Sequence, residues 1–410
     1  MGSIKSGTKR YRQINMAFFA AGFVTFITLY DVQPLLPVFS KEFGVAAALG
    51  SLPLSVTTCA LAIAMLFAGT VSESFGRKRV MVASLVVTSL LAILTSLTHT
   101  LPELLVIRLL QGIALAGLPA VAMAYLSEEI APASLTSAIG LYISGNAIGG
   151  MTGRIFTATV TEFISWRAAL GAIGVFCLIL SLHFARSLPA SSNFSRRPFA
   201  VRYLFSSLYK QLQDPGLLCL YGISFLIMGS FVTLYNYITF RLLGSPYYLS
   251  QSLVSLIFLV YLLGSFSSSA VGRQVERFGR SRMLFLTTGT MVLGALLTLS
   301  HSVSSIVTGI GIFTCGFFGA HTIASAWVGS RARTARAQAA SLYLFSYYLG
   351  SSVSGTLGGL FWTSFGWEGV VLMIMSLLAM GLFLLKRLAA LSEPDCTATS
   401  AVASLEAYHS

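Results

Sequence analysis

Two ionisable residues in this 410-residue chain sit where ionisable residues are rare. Asp31 closes the run Phe-Ile-Thr-Leu-Tyr-Asp, and Arg108 opens Arg-Leu-Leu-Gln-Gly, each inside a long apolar stretch. A charge in such a stretch is expensive unless another charge answers it, so an Asp and an Arg there mark a functional site by default. The chemistry they offer is an ion pair or a proton relay. The guanidinium stays charged, while the carboxylate can exchange a proton. The neighbouring cation and burial act on that proton in opposite senses, so an arriving solute could tip the balance and release it. The competing reading is a static pair that fixes packing.

The elements that must position this pair follow from composition. Hydrophobic residues make up 55% of the chain and charged residues 10%, against roughly 25% charged in soluble domains. Too little charge remains to cover a water-facing surface, so lipid must cover most of it. The net charge of +13 sits in short clusters between apolar runs, which disfavours nucleic acid as a partner and reads instead as a topology signal. Five cysteines, Cys59, Cys177, Cys219, Cys315 and Cys396, are scattered singly. They carry no metal-ligand spacing or disulfide framework, and read as small packing residues. The basic start (Lys5, Lys9, Arg10, Arg12) precedes a run long enough to span, read as a retained first helix.

A span needs about 20 apolar residues. Twelve stretches qualify: 14–39, 50–71, 80–98, 103–126, 135–160, 167–186, 216–240, 251–271, 283–300, 303–328, 338–361 and 368–387. Each must be helical, because backbone groups inside a bilayer find no water. With the N-terminus inside, the inner segments hold 21 Lys and Arg and the outer loops three, which places both termini in the cytoplasm. The inner loop bearing Glu128 and Glu129 has no Lys or Arg and is a local exception. The expected organisation is a cytoplasmic N-terminus (1–13), a six-helix bundle (14–187), a linker (188–214), a second bundle (215–388) and a tail (389–410). The linker includes Arg196 and Arg197 and suggests a surface helix near 200–212. A rise of about 1.5 Å per residue puts Asp31 and Arg108 at similar depth in the outer half.

The two halves repeat at an offset near 203. Phe26–Asp31 aligns with Phe231–Asn236, and Gly69, Glu73, Gly76, Arg77 and Arg79 align with Gly272, Glu276, Gly279, Arg280 and Arg282. Leu141-Tyr142 aligns with Leu342-Tyr343, and Trp166 with Trp367. Parallel six-helix repeats imply two bundles about an axis along the membrane normal, with a solute site between them. Asp31 aligns with Asn236 and Arg108 with Ile312, so proton chemistry is expected in the N-terminal half.

Gly69-Thr-Val-Ser-Glu73-Ser-Phe-Gly76-Arg77-Lys78-Arg79 and its second copy from Gly272 to Arg282 resemble the loop signature of the major facilitator superfamily, with Ser74 where that pattern has Arg. The glycines suit a tight turn and close helix approach. The resemblance implies that Gly69, Glu73, Gly76 and Arg77, with Gly272, Glu276, Gly279 and Arg280, gate the cytoplasmic side by latching the bundles together. Arg108-Leu-Leu-Gln111-Gly112 resembles the superfamily's R-x-x-Q-G motif. Asp31-Val-Gln33-Pro34-Leu-Leu-Pro37 resembles the P-x-x-P pattern of drug:proton antiporters, where proline kinks the helix. Gly140 to Arg154 resembles the glycine-spaced helix of antiporters, with Asn146 where the pattern has Pro. Arg154 reads as a snorkelling anchor or a solute ligand. Ser127 to Arg154, Ala320 to Arg336 and Tyr347 to Ser352 look like the YnfM-type, arabinose efflux permease-like bacterial inner-membrane transporters.

The expectation is therefore an all-α membrane protein of 12 transmembrane helices in two six-helix bundles, the major facilitator fold. Its expected activity is proton-coupled efflux of a small organic solute or drug by alternating access. Proton-coupled uptake and a transport-inactive sensor or scaffold are the alternatives. An enzyme is not expected, nor a metal or other cofactor beyond the proton gradient. The partners are a small solute and membrane lipid, a monomer suffices, and the location is the inner (plasma) membrane. Asp31 and Arg108 would couple protons. Candidate solute contacts are Tyr30, Gln33, Gln111, Asn146, Tyr235, Asn236, Tyr343 and Tyr347. His321 could titrate or simply pack, and Tyr348 could join an aromatic lining or ordinary packing.

Overall fold

Long apolar runs with few helix breakers between them leave helix as the only way to satisfy the backbone, and helices dominate the computed structural model. It describes residues 4, 7–189, 191, 194, 201–332 and 334–391, without the side chains of Val201 and Tyr203. Lys5, Arg196, Arg197, Arg333, Cys396 and the tail from 392 lie outside the described residues. In chain order the spans are α1 (Lys9–Glu42), α2 (Leu52–Phe75), α3 (Arg77–Thr95), α4 (Leu101–Glu129), α5 (Pro132–Phe163) and α6 (Trp166–Ser187). The short helix Val201–Leu212 follows, then α7 (Pro215–Leu243), α8 (Gln251–Phe278), α9 (Arg280–Leu297) and α10 (Val303–Arg331).

The last helical stretch, Arg336–Ala390, is two spans. Gly366, at φ +62°, breaks it into α11 (336–365) and α12 (367–390). Among the described residues nine stretches qualify as spanning helices by length and hydropathy alone. Dividing Arg336–Ala390, and adding the Gly/Ser/Thr-rich α5 and the short α9, brings the spans to twelve.

Helix breaks fall where the sequence demands them. The expected first span is not one helix: it runs from Lys9 to Tyr30, tightens into a 3-10 turn at Gln33–Leu35, and resumes at Leu36–Glu42. Pro34 has no N–H to offer the preceding turn, and Pro37 opens the resumed segment. α8 carries a 3-10 stretch of its own at Leu256–Val260, where its repeat counterpart α2 is regular helix.

The two halves are built alike. α1 packs on α5 through Gly145 and Gly149, where a Cβ would overlap the carbonyl oxygens of Phe19 and Phe23. α7 packs on α11 in the same way, with Gly350 against the Phe225 carbonyl. Such small-residue seams let backbones approach where no hydrophobic drive is available in lipid. A lateral apolar groove of about 920 Å³ between α2, α3 and α4 is lined by Ala64, Val71, Val87 and Leu109. Its counterpart of about 630 Å³ between α8, α9 and α10 is lined by Ser267, Gln274, Thr290 and Ile312, the residues 203 positions later.

The loop glycines divide into two kinds. Gly76 (φ +100°) and Gly279 (φ +82°) make the turns into α3 and α9, in a region that favours glycine. Gly69 and Gly272, expected to permit close helix approach, do not serve it: a Cβ on either meets nothing within 4 Å. The cysteines are also not uniformly buried, since Cys177 and Cys219 are buried while Cys59 and Cys315 are partly exposed.

These seams separate two substitutions. Gly149→Leu should abolish a monodisperse, folded preparation or cost more than about 4 kcal/mol. Gly69→Ala should be neutral or stabilising by up to about 1 kcal/mol, since alanine favours helix. Thermal unfolding of detergent-purified protein checks both, and equal effects would sink the assignment of the α1–α5 seam.

Candidate transport site

Asp31 sits at the break in α1, and its carboxylate faces α4. Arg108 Nη1 lies 3.2 Å from Asp31 Oδ1, with both side chains sealed from solvent. The guanidinium also donates to Gln111 Oε1 at 2.8 Å, the Thr28 carbonyl at 3.1 Å, the Leu29 carbonyl at 3.0 Å and the Pro53 carbonyl at 3.3 Å. Thr28 and Leu29 lie in the last turn of the first α1 segment, whose end carries partial negative charge. Arg108 therefore caps a broken helix and balances a carboxylate at once. Thr57 Oγ1 donates to the Arg108 carbonyl at 3.1 Å, so α1, α2 and α4 meet here.

A second polar chain starts two residues on and crosses between the halves. Gln33 Nε2 donates to Asn236 Oδ1 on α7 at 2.8 Å, and Gln33 Oε1 accepts from Arg154 Nε on α5 at 2.6 Å. Arg154 Nη1 donates to the Gly150 carbonyl at 2.7 Å. Arg154 does not snorkel: it is buried, with its guanidinium carbon 4.2 Å from the Tyr30 ring centroid, 5.0 Å from Phe258 and 4.8 Å from Tyr261. A side chain this far inside two bundles has no route to the interface that snorkelling requires.

The remaining candidates occupy two further places. Tyr343 Oη pairs with His321 Nδ1 at 2.9 Å, and Tyr347 lies 4.9 Å from the His321 ring and 5.1 Å from Tyr348. His321 is thus a partnered member of an aromatic cluster with Phe317. Tyr235 points into α10, bonding Thr314 Oγ1 at 2.7 Å. Asn146 packs over Gly22 at the α1–α5 seam, and its Oδ1 is buried without a partner. Gln111 is held by Arg108, with its Nε2 unpaired.

The gating residues are placed differently from expectation. Arg77 bonds Glu128 at 2.8 Å and Ser72 Oγ at 2.6 Å, with Glu73 at 3.8 Å, all within the N-terminal half. Arg280 bonds Ser330 Oγ at 2.6 Å and Arg331 bonds Asp214 at 2.8 Å, both within the C-terminal half. Among the described residues, neither Arg77 nor Arg280 bonds to the other half. The direct hydrogen bonds between described residues of the two halves lie at the opposite end. They include Gln33 to Asn236, Ser55 to Thr356 at 2.8 Å, Gln251 to the Pro34 carbonyl at 3.4 Å, and Ser252 N to Glu162 Oε2 at 2.7 Å.

Sequence reasoning missed Phe258, Tyr261, Ser55 and Thr356. Phe258 and Tyr261 stand 203 positions after Ser55 and Thr58. The only signal was that aromatics replace small polar residues at equivalent repeat positions.

Two broken bundles, a buried charge pair beside one break and a hydrogen-bonded seam at one end define a membrane transporter of the secondary type. Comparison with known proteins agrees. The family model described as Major Facilitator Superfamily matches residues 16–326 and 217–403. The chain is 49% identical over 384 residues to the uncharacterized MFS-type transporter YybF of Bacillus subtilis, covering 94% of this chain and 95% of that protein. It is 46% identical over 385 residues to the inner membrane transport protein YnfM of Escherichia coli, covering 94% and 92%. A solved bacterial homologue of the human lysosomal transporter Spinster superposes with TM-score 0.73 at 14% identity, covering 94% of this chain and 98% of that one. The chain belongs to the major facilitator superfamily and is a multi-pass membrane transporter of that type.

The pair's two partners are not equivalent. Arg108→Gln strands a buried carboxylate without its counter-charge and should cost about 3–5 kcal/mol. Asp31→Asn should cost less, because Arg108 keeps Gln111 and three carbonyl oxygens. Unfolding temperatures of the two variants check the order, and the reverse order would overturn this account of the site.

Proposed function

We propose that the protein exports a small organic solute across the inner (plasma) membrane in exchange for protons, by alternating access, with both termini in the cytoplasm. The observation that carries this reading is the sealed Asp31–Arg108 pair. Arg108 retains four oxygen partners besides Asp31. Protonation of the carboxylate would therefore leave the guanidinium hydrogen-bonded, and the site can hold either protonation state without losing the α1–α4 contact.

Support for alternating access comes from the asymmetry of the inter-half contacts. The halves meet through Gln33–Asn236, Ser55–Thr356 and Glu162–Ser252, while Arg77 and Arg331 satisfy themselves within their own halves. In the alternate state the Glu73 and Glu276 loops would meet and those contacts would part. No cofactor enters this scheme; the proton gradient supplies the work. YnfM is named an inner membrane transport protein, which favours the same location here.

Purified protein in liposomes with an enclosed pH dye tests the coupling. Solute-induced proton movement across a panel of organic solutes should occur in wild type and vanish in Asp31→Asn. Equal flux in the two proteins would remove Asp31 from the mechanism. The seam has its own test. The double variant Ser55→Cys/Thr356→Cys, in a chain whose native cysteines are replaced, should form a disulfide. Transport should stop on oxidation and return on reduction, and unimpaired transport by the oxidised form would exclude opening at that end.

A further inference from the structure

Arg154 is a buried cation without a carboxylate. Among the described residues the interior of the spans holds Asp31, Arg108 and Arg154 close to one another in sequence-distant segments, and Asp31 is taken by Arg108. No Asp or Glu lies within ion-pair distance of Arg154. Its neutral partners are Gln33 Oε1 and the Gly150 carbonyl, and its guanidinium is walled by Tyr30, Phe258 and Tyr261. Ring faces attract a cation, which explains how the charge is tolerated. They do not neutralise it. A desolvated, uncompensated charge is costly to keep, and such residues in spans mark substrate paths.

The surroundings also supply donors with nothing to donate to. Tyr261 Oη and Asn236 Nδ2 are buried and unpaired. Tyr261 belongs to the wall around Arg154, and Asn236 is joined to it through Gln33. An unpaired Tyr261 hydroxyl beside one unit of positive charge describes a site that lacks an acceptor carrying one negative charge; Asn236 Nδ2 lies instead toward Gly355. The cage draws on both halves: Arg154, Tyr30 and Gln33 come from one, and Phe258, Tyr261 and Asn236 from the other.

We propose that Arg154 anchors the negatively charged group of the transported solute, and that this solute is an organic monoanion, a carboxylate on a flat apolar or aromatic body. A carboxylate matches the planar guanidinium fork, and Tyr30, Phe258 and Tyr261 offer faces to its apolar part. A dianion is disfavoured because one cation cannot balance it and Asp31 lies one residue from Tyr30. The anion would compete with Gln33 for Arg154. Gln33 also holds Asn236 across the halves, so occupancy would loosen the seam that keeps this conformation closed at that end.

This inference rests on the reading of the chain as a solute transporter, so binding is measured without a gradient. The probes are benzoate, phenylacetate and cinnamate, each beside its own amide, added to purified full-length protein in nanodiscs and followed by intrinsic fluorescence and thermal shift. At least one acid should bind, and its amide should bind roughly tenfold more weakly or worse. Arg154→Gln should lose the preference for acid over amide, and Arg154→Lys should keep a reduced one. If Arg154→Gln does not fold, Tyr261→Phe, which deletes one unpaired donor, should weaken acid binding alone. Binding of none of the three acids, equal binding of the amides, or full preference in Arg154→Gln would overturn the proposal. Acid binding without any acid-driven proton movement would leave the anion site standing and sink proton coupling. Proton flux driven only by neutral or cationic solutes would do the opposite.

Discussion

The break in α1 at Asp31 is the constraint on which the rest of the centre depends. The first α1 segment ends at Tyr30, and Pro34 has no N–H to return to the Tyr30 carbonyl, so the last carbonyls of that segment must find partners inside the membrane. Arg108 supplies them, reaching Thr28 and Leu29 from α4. A cation brought that deep needs a counter-charge, and Asp31 is the residue at the break. The charge pair and the kink therefore explain each other. The same contacts fix how α1, α2 and α4 sit, because Arg108 also reaches the Pro53 carbonyl on α2.

The second half has neither the break nor the charge pair: α7 runs as one helix from Pro215 to Leu243. At the position of Asp31 it has Asn236, and around that of Arg108 it has the uncharged Gly311 and Ile312. Asn236 turns across the interface to Gln33 instead of pairing within its own bundle. The loop clusters show a similar divergence. Arg77 pairs with Glu128, but the residue 203 positions after Glu128 is Arg331, so that pairing cannot recur. Arg280 takes Ser330 and Arg331 takes Asp214, which also caps the start of α7 by accepting from Gly216 N at 2.7 Å. One architecture is thus held by two different polar solutions, and the differences concentrate where the halves must act differently.

Much of this was legible in the sequence. The spans, the α1 kink and the glycine seam of α5 rest on local rules: apolar length, proline chemistry and small-residue spacing. The offset near 203 carried the symmetry of the whole. Partners across the bundle interface were not legible, because the repeat relates positions within each half and says nothing about which face meets which. Ser55–Thr356 and the Phe258–Tyr261 wall around Arg154 belong to that class. Arg154 itself was ambiguous. Its place near the end of an apolar run suited snorkelling as well as a ligand, and only the inward turn of the side chain separates them.

The energetics of the seam suit a protein that must reopen it. Several hydrogen bonds join the halves directly between described residues, Gln33–Asn236 and Ser55–Thr356 among them, each contributing about 0.5–1.5 kcal/mol net. An apolar seam of similar extent with no polar contacts would offer a solute or a proton nothing to compete for. Gln33 is the one seam residue that touches everything else of interest. It bonds Asn236 across the interface and Arg154 in the aromatic cage, and it lies two residues from Asp31 on the turn that Pro34 creates. Any event that moves that turn, whether a change at Asp31 or a ligand on Arg154, acts directly on a bond between the halves.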